Sequence, residues 1–390
     1  MAKFFLRKKI SDRVINGHPW IFGNELGDHE GEYEQGDIVE VYSSNGSFVG
    51  KGYINDASQI RIRLISREKS EVIDDSFFKN RIEEAWKYRQ QIGYVENCRL
   101  IFAEADNLPA LIIDKFNDYL VIQTLALGID RWKPAIVKAL QEIFNPKGIY
   151  ERNDVPVREL EGLPQQKGFL SAPFDTNIIL NENGLKFHVD IVNGQKTGYF
   201  LDQQDNRREV AHIVKDADVL EAFCYTGTFS MHAAHYGAKK VLGLDISENA
   251  VKIARNNATL NGFEDICSFE AVNAFDVLKV WAKEGRKYDV VMLDPPAFTK
   301  SREHIQKAIT GYKEINLRGM KLVKPGGFLV TASCTNLVPP DMFLKTIELA
   351  AKDARRKLRQ VTYQTQASDH PILWHVPTTQ YLKFLIVQVI

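Results

Sequence analysis

Cysteine is scarce in this chain: four among 390 residues (Cys98, Cys224, Cys267 and Cys334). None stands in a C-x-x-C pair or at metal-ligand spacing, so neither a disulfide framework nor a bound metal is expected. Most such cysteines are small core residues, and one of the four needs a different explanation. No run of about 18 apolar residues occurs, so no membrane-spanning helix and no membrane partner are expected. The opening residues, Met1-Ala2-Lys3-Phe4-Phe5-Leu6-Arg7-Lys8-Lys9, hold too short an apolar stretch for a secretory leader, and the expected location is the cytoplasm. Net charge is also absent, since 50 basic residues balance 50 acidic ones, which argues against an indiscriminate polyanion binder. There is no internal repeat and no low-complexity segment.

What is present is ordinary globular material, 44% hydrophobic and 26% charged. At about 150 residues per domain the length implies two or three domains. Charge is locally uneven. Lys3, Arg7, Lys8, Lys9 and Arg13 face Asp12 alone at the start, and Lys352 to Arg359 forms a second basic cluster; each reads equally as a solvated face.

Residues 1–70 read as a small β-barrel module. Asp37–Tyr42 alternates, Ser44-Asn45-Gly46-Ser47 is a hairpin turn, Phe48–Ile54 resumes and Arg61–Ile65 closes the set. An amphipathic helix from Asp75 to about Gly93 opens a central α+β domain over residues 71–185. That domain has strands at Ala110–Asp114, Tyr119–Thr124 and Gly148–Glu151 and a helix over about Lys133–Phe144. A third domain spans residues 186–390. A strand at Phe187–Val192 and a helix near Asp205–Val214 lead into it. Strands and helices then alternate, with strands at Val219–Phe223, Lys240–Asp245, Cys267–Val272, Asp289–Leu293, Gly327–Ser333, Leu358–Tyr363 and Tyr381–Val389. This grammar predicts a doubly wound, mostly parallel, Rossmann-like sheet, with ligands beyond the carboxyl ends of its strands.

The chemistry gathers at those ends. The first strand runs into Glu221-Ala-Phe-Cys-Tyr-Thr-Gly-Thr228, where Gly227 allows close backbone approach. Neither G-x-G-x-x-G nor G-x-x-x-x-G-K-[ST] occurs there, which disfavours a dinucleotide or ATP. The second strand ends at Asp245, placed to accept both hydroxyls of a ribose, and the third at Asn273-Ala274, beside a potential adenine edge. Taken singly, Asp245 and Asn273 read equally as helix caps. Together, in register, they point to an adenosine-type ligand. The fourth ends in Asp294-Pro295-Pro296-Ala297-Phe298, a stiff turn suited to a flat base, with stacking from Phe298. The fifth ends at Cys334. Carbon 5 of cytosine is a poor nucleophile until a thiolate adds to carbon 6, so a cysteine at a strand mouth suits that reaction. Cys224 reads as a packing residue, and Cys98 and Cys267 have no catalytic neighbours.

These segments, with Gly17-His-Pro-Trp-Ile-Phe22, Gly36-Asp-Ile-Val-Glu-Val41, Ala103-Glu-Ala-Asp-Asn-Leu-Pro109, Glu151-Arg-Asn-Asp154, Gly194-Gln-Lys-Thr-Gly-Tyr-Phe-Leu-Asp202 and Asp205-Asn-Arg207, resemble a known family along essentially the whole chain. It is the bacterial large-subunit ribosomal RNA cytosine-5 methyltransferase family, which joins a PUA RNA-binding domain to a class I S-adenosyl-L-methionine (SAM) methyltransferase. The resemblance implies SAM as cofactor and ribosomal RNA as partner, while a homodimer stays open. It implies that Lys196, Thr197, Phe200, Asp202 and Arg207 close over the cofactor. Phe223, Cys224, Tyr225, Thr226, Gly227, Asp245, Ile246, Asn273, Ala274 and Asp294 would surround it. It implies Cys334 as nucleophile beside Asp294, with Pro295, Pro296 and Phe298 against the substrate base. The sequence departs from common patterns in two places: Asn273 replaces the acid of many class I enzymes, and Pro296 stands where many RNA cytosine-5 enzymes carry a second cysteine. His370 is then a candidate for assisting product release, against a structural role.

Two alternatives remain. Asp-Pro-Pro followed by Phe also resembles turns of enzymes that methylate adenine N6 or guanine N2, where Cys334 would be incidental. An RNA-binding chaperone with a relic cofactor pocket is the non-enzymatic reading. In the N-terminal module, Lys3, Arg7, Lys8, Lys9, Arg61 and Arg63 with Trp20 and Phe22 are the residues suited to phosphates and bases.

Overall fold

A computed structural model describes residues 1–7, 12–299 and 301–390; Lys8 and Lys9, read above as phosphate-contacting, lie outside the described residues. The chain forms two compact units. The first comprises Met1–Ile178, Val189–Leu201 and Ser368–Thr379, the second Ile179–His188, Asp202–Ala367 and Gln380–Ile390. Among the described residues no helix is long and apolar enough to cross a membrane.

The first unit contains a six-stranded sheet in the order Trp20–Ile21, Ile62–Ser66, Phe48–Ile54, Ile38–Tyr42, Lys3–Leu6, Leu26–Glu30. Its alternating residues Phe4, Leu6, Val39, Val41, Ile62 and Leu64 form one core cluster. The expected hairpin is present: Ser43 and Ser47 close it, and Gly46 takes the left-handed φ of +83°. A second, five-stranded sheet runs Gln166–Phe169, Gly148–Asn153, Tyr119–Thr124, Leu111–Phe116, Asn97–Phe102. Helices Asp75–Gln91 and Lys133–Phe144 supply Phe78, Ile82, Ile136 and Leu140 to the core of this part. Asp74 caps the first of these helices by accepting from the Phe77 N–H at 2.9 Å.

Within this unit the N-terminal module is tied to the second sheet by polar contacts that sequence does not reveal. The Arg63 guanidinium is buried and donates to Glu161 at 2.7 Å, and the Trp20 indole N–H donates to Glu104 at 2.8 Å. Arg61 pairs with Asp56 at 2.8 Å. Arg63 is therefore removed from the set open to phosphate, because its charge is already matched inside the fold. The strand expected at Phe187–Val192 runs Leu185–Asp190 instead. Asp190 Oδ1 accepts the Val192 and Asn193 N–H groups, which turns the chain there.

The second unit is built on a seven-stranded sheet. Its strands are β1 (Asp218–Ala222), β2 (Lys240–Asp245), β3 (Cys267–Ala271), β4 (Tyr288–Leu293), β5 (Val323–Ser333), β6 (Leu358–Gln364) and β7 (Lys383–Val389). Hydrogen bonding gives the order β3-β2-β1-β4-β5-β7-β6, with β7 antiparallel to both its neighbours and the other pairs parallel. This is the doubly wound architecture expected. Helices α1 (Thr228–His235), α2 (Glu248–Asn261), α3 (Ala274–Glu284), α4 (Ile305–Leu322) and α5 (Pro340–Ala354) connect the strands. Strands covered on both faces read as continuous apolar runs. Val290-Val-Met-Leu293 is such a run, and all four side chains are buried. Leu220, Leu244, Leu293, Tyr312, Leu329, Phe343 and Leu385 belong to the core cluster on this sheet.

Sequence signals mark the ends of these elements well. Ser247 caps α2 and Gly262 ends it at φ +72°; Asn273 caps α3 and Gly285 ends it at φ +78°. β7 begins at Lys383, not at Tyr381, because the Tyr381 and Leu382 N–H groups turn to Gln366 Oε1 at 3.4 Å. The helix expected near Asp205–Val214 is a short helix at Gln204–Glu209 followed by a 3-10 turn at Val210–His212. Its polar run has no apolar stripe to extend.

Candidate active site

In the second unit, β1, β2, β3, β4 and β5 deliver their chemistry to their carboxyl ends. The β1–α1 connection has an unusual backbone. Phe223, Tyr225 and Gly227 adopt φ of +66°, +48° and +76°, so left-handed residues alternate along five positions. Left-handed non-glycine residues are costly and persist where the surroundings hold them. Here Cys224 N–H donates to Leu244 O at 2.9 Å, Gly227 N–H to Cys224 O at 2.7 Å and Tyr225 N–H to Asp245 Oδ2 at 2.9 Å. A Cβ on Gly227 would meet the Phe269 ring at 2.9 Å, so the position needs glycine for both its φ and its space. The Thr226 hydroxyl is buried and has no hydrogen-bond partner among the described residues.

Asp245 accepts one N–H on each oxygen, from Tyr225 and from Ser247 at 2.9 Å, which orients the carboxylate and leaves acceptor capacity on both atoms. Next to it, Ile246 is 74% exposed, an apolar side chain with no apolar cover. Asn273 is exposed and its Oδ1 caps α3 through Phe275 N–H at 3.0 Å, so its capping role is real. Its amide N–H2 still points to no partner among the described residues. Ala274 is buried in the core.

On β4 the Asp294 carboxylate receives Gln203 Nε2 at 3.0 Å, and Gln203 is in turn held by Asn206 Nδ2 at 2.7 Å. Pro295 is buried and Pro296 exposed. The Phe298 ring does not stand free over the turn: it packs 4.5 Å from Tyr312 and 5.7 Å from Phe275 between centroids. Asp294 and Glu221 line one small cavity, and burial pushes the Glu221 carboxyl up to about 8 against the opposing pull of Ser230.

The four cysteines separate sharply. Cys98, Cys224 and Cys267 are buried, and burial pushes all three thiols up, Cys267 to about 12. Cys334 is half-buried, and its sulfur lies 4.0 Å from the Pro295 carbonyl oxygen. The strand-end cysteine and the Asp-Pro-Pro turn are therefore neighbours.

The remaining expected residues fall elsewhere. Asp202 is buried in the second unit, accepting the Tyr381 hydroxyl at 2.6 Å. Arg207, in the same unit, is 1% exposed and is bonded to both Glu182 oxygens at 2.7 and 2.8 Å, so it is engaged in a buried ion pair. Lys196, Thr197 and Phe200 belong to the first unit. There Lys196 Nζ sits 4.5 Å over the Phe200 ring, and the buried Thr197 hydroxyl donates to Asp114. His370 is also in the first unit, buried, with Nδ1 2.7 Å from Asp369 Oδ1, the geometry of a structural histidine.

The sequence reading missed Gln203, Tyr312 and Lys383. Only Lys383 carried a readable signal: it opens the otherwise apolar strand Lys383-Phe-Leu-Ile-Val387 and is 2% exposed.

A strand-end series of this kind, on a β3-β2-β1-β4-β5-β7-β6 sheet, is that of a class I methyltransferase. The chain matches the S-adenosylmethionine-dependent methyltransferase family over residues 166–377 and the PUA-like domain family over residues 4–67. The ribosomal RNA large subunit methyltransferase I of Shewanella denitrificans is 40% identical over 382 residues, 95% of each chain. That of Tolumonas auensis is 38% identical over 392 residues, 99% of each. Among solved structures, a candidate methyltransferase complexed with SAH superposes over 100% of both chains with TM-score 0.85 at 20% identity. A candidate SAM-dependent methyltransferase from Streptococcus mutans gives TM-score 0.84 at 20% identity, again over 100% of both chains. The chain belongs to the S-adenosylmethionine-dependent methyltransferases, in the ribosomal RNA large subunit methyltransferase I family.

Its cofactor is SAM, and the strand ends fit that molecule. Asp245 offers a carboxylate to vicinal hydroxyls, Ile246 an apolar surface to a base, and Thr226 a hydroxyl in need of a partner. Replacing Asp245 by alanine is expected to weaken SAM binding by about 1.5–3 kcal/mol, the range for hydrogen bonds to a charged group. Calorimetric titration measures this; an unchanged Kd takes Asp245 out of the ribose site.

Proposed function

We propose that the chain methylates carbon 5 of a cytosine in large-subunit ribosomal RNA through a transient bond between Cys334 and carbon 6. One observation carries this reading: of the four cysteines only Cys334 is not buried, and its sulfur lies 4.0 Å from the Pro295 carbonyl of the Asp294 turn. The names of the relatives support ribosomal RNA as the substrate class.

Bound SAM supplies an electrophilic methyl group. The residues of this chain do the rest. A target cytosine, turned out of its stack, is received between the Asp294-Pro295-Pro296 turn and Cys334. Asp294, held by Gln203, binds the polar edge of the ring. The Cys334 thiolate adds to carbon 6, and the electron pair moved to carbon 5 forms the new bond to the methyl carbon as the methyl–sulfonium bond breaks, its electron pair staying on sulfur in the departing neutral thioether. A base then removes the carbon 5 proton; the electrons return to the ring and expel Cys334 as thiolate. Asp202, bonded to Tyr381, and the 223–227 connection belong to the same unit as this turn and cysteine, and we assign them to the cofactor.

The test is mass spectrometry of nucleosides after incubating the protein with SAM and unmodified ribosomal RNA. The expected product is 5-methylcytidine. N6-methyladenosine or N2-methylguanosine as the product would falsify the cytosine reading and leave Cys334 without a chemical role.

A further inference from the structure

The second unit holds a buried cation that the reaction above does not use. Lys383, the first residue of β7, is 2% exposed, and among the described residues no carboxylate lies within salt-bridge distance of it. Its ammonium donates to two main-chain carbonyls, those of Thr335 and, at 3.0 Å, Tyr381. A lysine has three donors, so one is left over. An ammonium buried with carbonyls alone is expensive to keep charged. Burial accordingly pushes Lys383 down to about 8, while the neighbouring Cys334 opposes that shift.

Register explains why these two groups meet. In the antiparallel β5–β7 pair, Ser333 lies directly opposite Lys383, so the lysine stands beside the last rung before Cys334. Its bond to the Thr335 carbonyl holds the ammonium against the backbone on the other side of that cysteine. Two further titratable groups face the thiol from neighbouring elements. One is the Asp294 carboxylate on the turn after β4; the other is the Tyr312 hydroxyl on α4, pushed up by burial, with Ser333 opposing the rise and the Cys334 and Asp294 charges adding to it. Tyr312 stays neutral, and Asp294, a negative charge, disfavours a thiolate. Lys383 is the group that favours one.

We propose that Lys383 is the positioning residue that keeps Cys334 as a thiolate, offsetting the Asp294 charge across the base-receiving turn. The inference rests on Cys334 being the nucleophile, and it gives an unoccupied role to a charge that would otherwise only destabilise the fold. A cation beside a cysteine is the general way to lower a thiol and raise its reactivity. Here it is supplied from the edge-side strand and not from a histidine.

The experiment is the pH dependence of Cys334 alkylation by iodoacetamide, followed on the Cys334 peptide by mass spectrometry in the full chain without RNA. The wild-type midpoint is expected at or below about 7.5, against about 8.5 for an ordinary cysteine. In Lys383→Met it is expected to rise by about one unit. Methylation at pH 7 then falls about tenfold, because one unit is a tenfold change in thiolate, and recovers as the pH is raised. Lys383→Arg, which keeps the charge, is expected to retain the low midpoint. SAM binding by calorimetry reports folding of each variant. A wild-type midpoint near 8.5, or one that Lys383→Met does not move, overturns the proposal. If Lys383→Met does not fold, the wild-type and Lys383→Arg profiles decide it. Covalent trapping on RNA is a separate readout: a low, lysine-dependent midpoint without any RNA adduct sinks the nucleophile reading and leaves the Lys383–Cys334 pairing standing.

Discussion

With RNA carrying 5-fluorocytidine, the wild-type protein is expected to become covalently attached to its substrate, and Cys334→Ala is expected neither to attach nor to methylate. Fluorine at carbon 5 cannot leave as a proton does, so elimination of Cys334 is blocked after methyl transfer and the adduct accumulates. Removing a covalent nucleophile costs on the order of 10^4–10^6 in turnover where the mechanism depends on it. The other three thiols cannot substitute. Cys98, Cys224 and Cys267 are buried and their thiols are pushed up, well away from a reactive thiolate at neutral pH. Cys334 is half-buried, so truncation to alanine opens little core space, and SAM binding in the variant is expected to match the wild type. Gel-shifted, protease-sensitive RNA in the wild-type lane and its absence in the variant lane is the signature. Methylation that survives in Cys334→Ala removes the thiolate step and favours transfer to an exocyclic amine.

Much of this site could be read from the chain because strands such as Val290–Leu293 are buried apolar runs that stop at a polar residue. Asp245, Asn273, Asp294 and Cys334 each stand at or within two residues of the carboxyl end of a strand, and the topology of a doubly wound sheet brings strand ends together without further information. Two kinds of fact were not legible. One is the partner of a charged side chain. Arg63 in the N-terminal module and Arg207 ahead of β1 read as open to a ligand, yet each is matched by a glutamate far away in sequence, Glu161 and Glu182. Nothing local distinguishes an arginine awaiting a phosphate from one already neutralised. The other is antiparallel register. That β7 slots between β5 and β6, and so sets Lys383 opposite Ser333, follows from pairings between segments some twenty to sixty residues apart. Capping was the opposite case. Asn273 was readable both as a cap and as a ligand contact; Oδ1 takes the first role and the amide remains for the second.

Arg207 separates the two meanings of a motif residue, binding or stability, and its replacement has the second large effect expected. The guanidinium is 1% exposed and Glu182 is 2% exposed, with Nη1 bonded to both carboxylate oxygens. His232 approaches the same carboxylate at 3.5 Å, but burial, then the Arg207 charge, lowers it to about 3, so at neutral pH it brings no second positive charge. Arg207→Ala therefore leaves a buried carboxylate without its countercharge. Breaking a buried pair by removing one partner costs about 3–5 kcal/mol. For a unit of this size that lowers the Tm by roughly 10 °C. Removing both charges at once is far milder, because the desolvation cost disappears with the attraction. Glu182→Gln combined with Arg207→Met is thus expected to recover most of the lost Tm. Thermal unfolding of the two variants, each with SAM titrated by calorimetry, tells stability from binding. If Arg207→Ala leaves the Tm in place and instead weakens SAM, the arginine contacts the cofactor as the family resemblance implies, and Glu182 is only its resting partner.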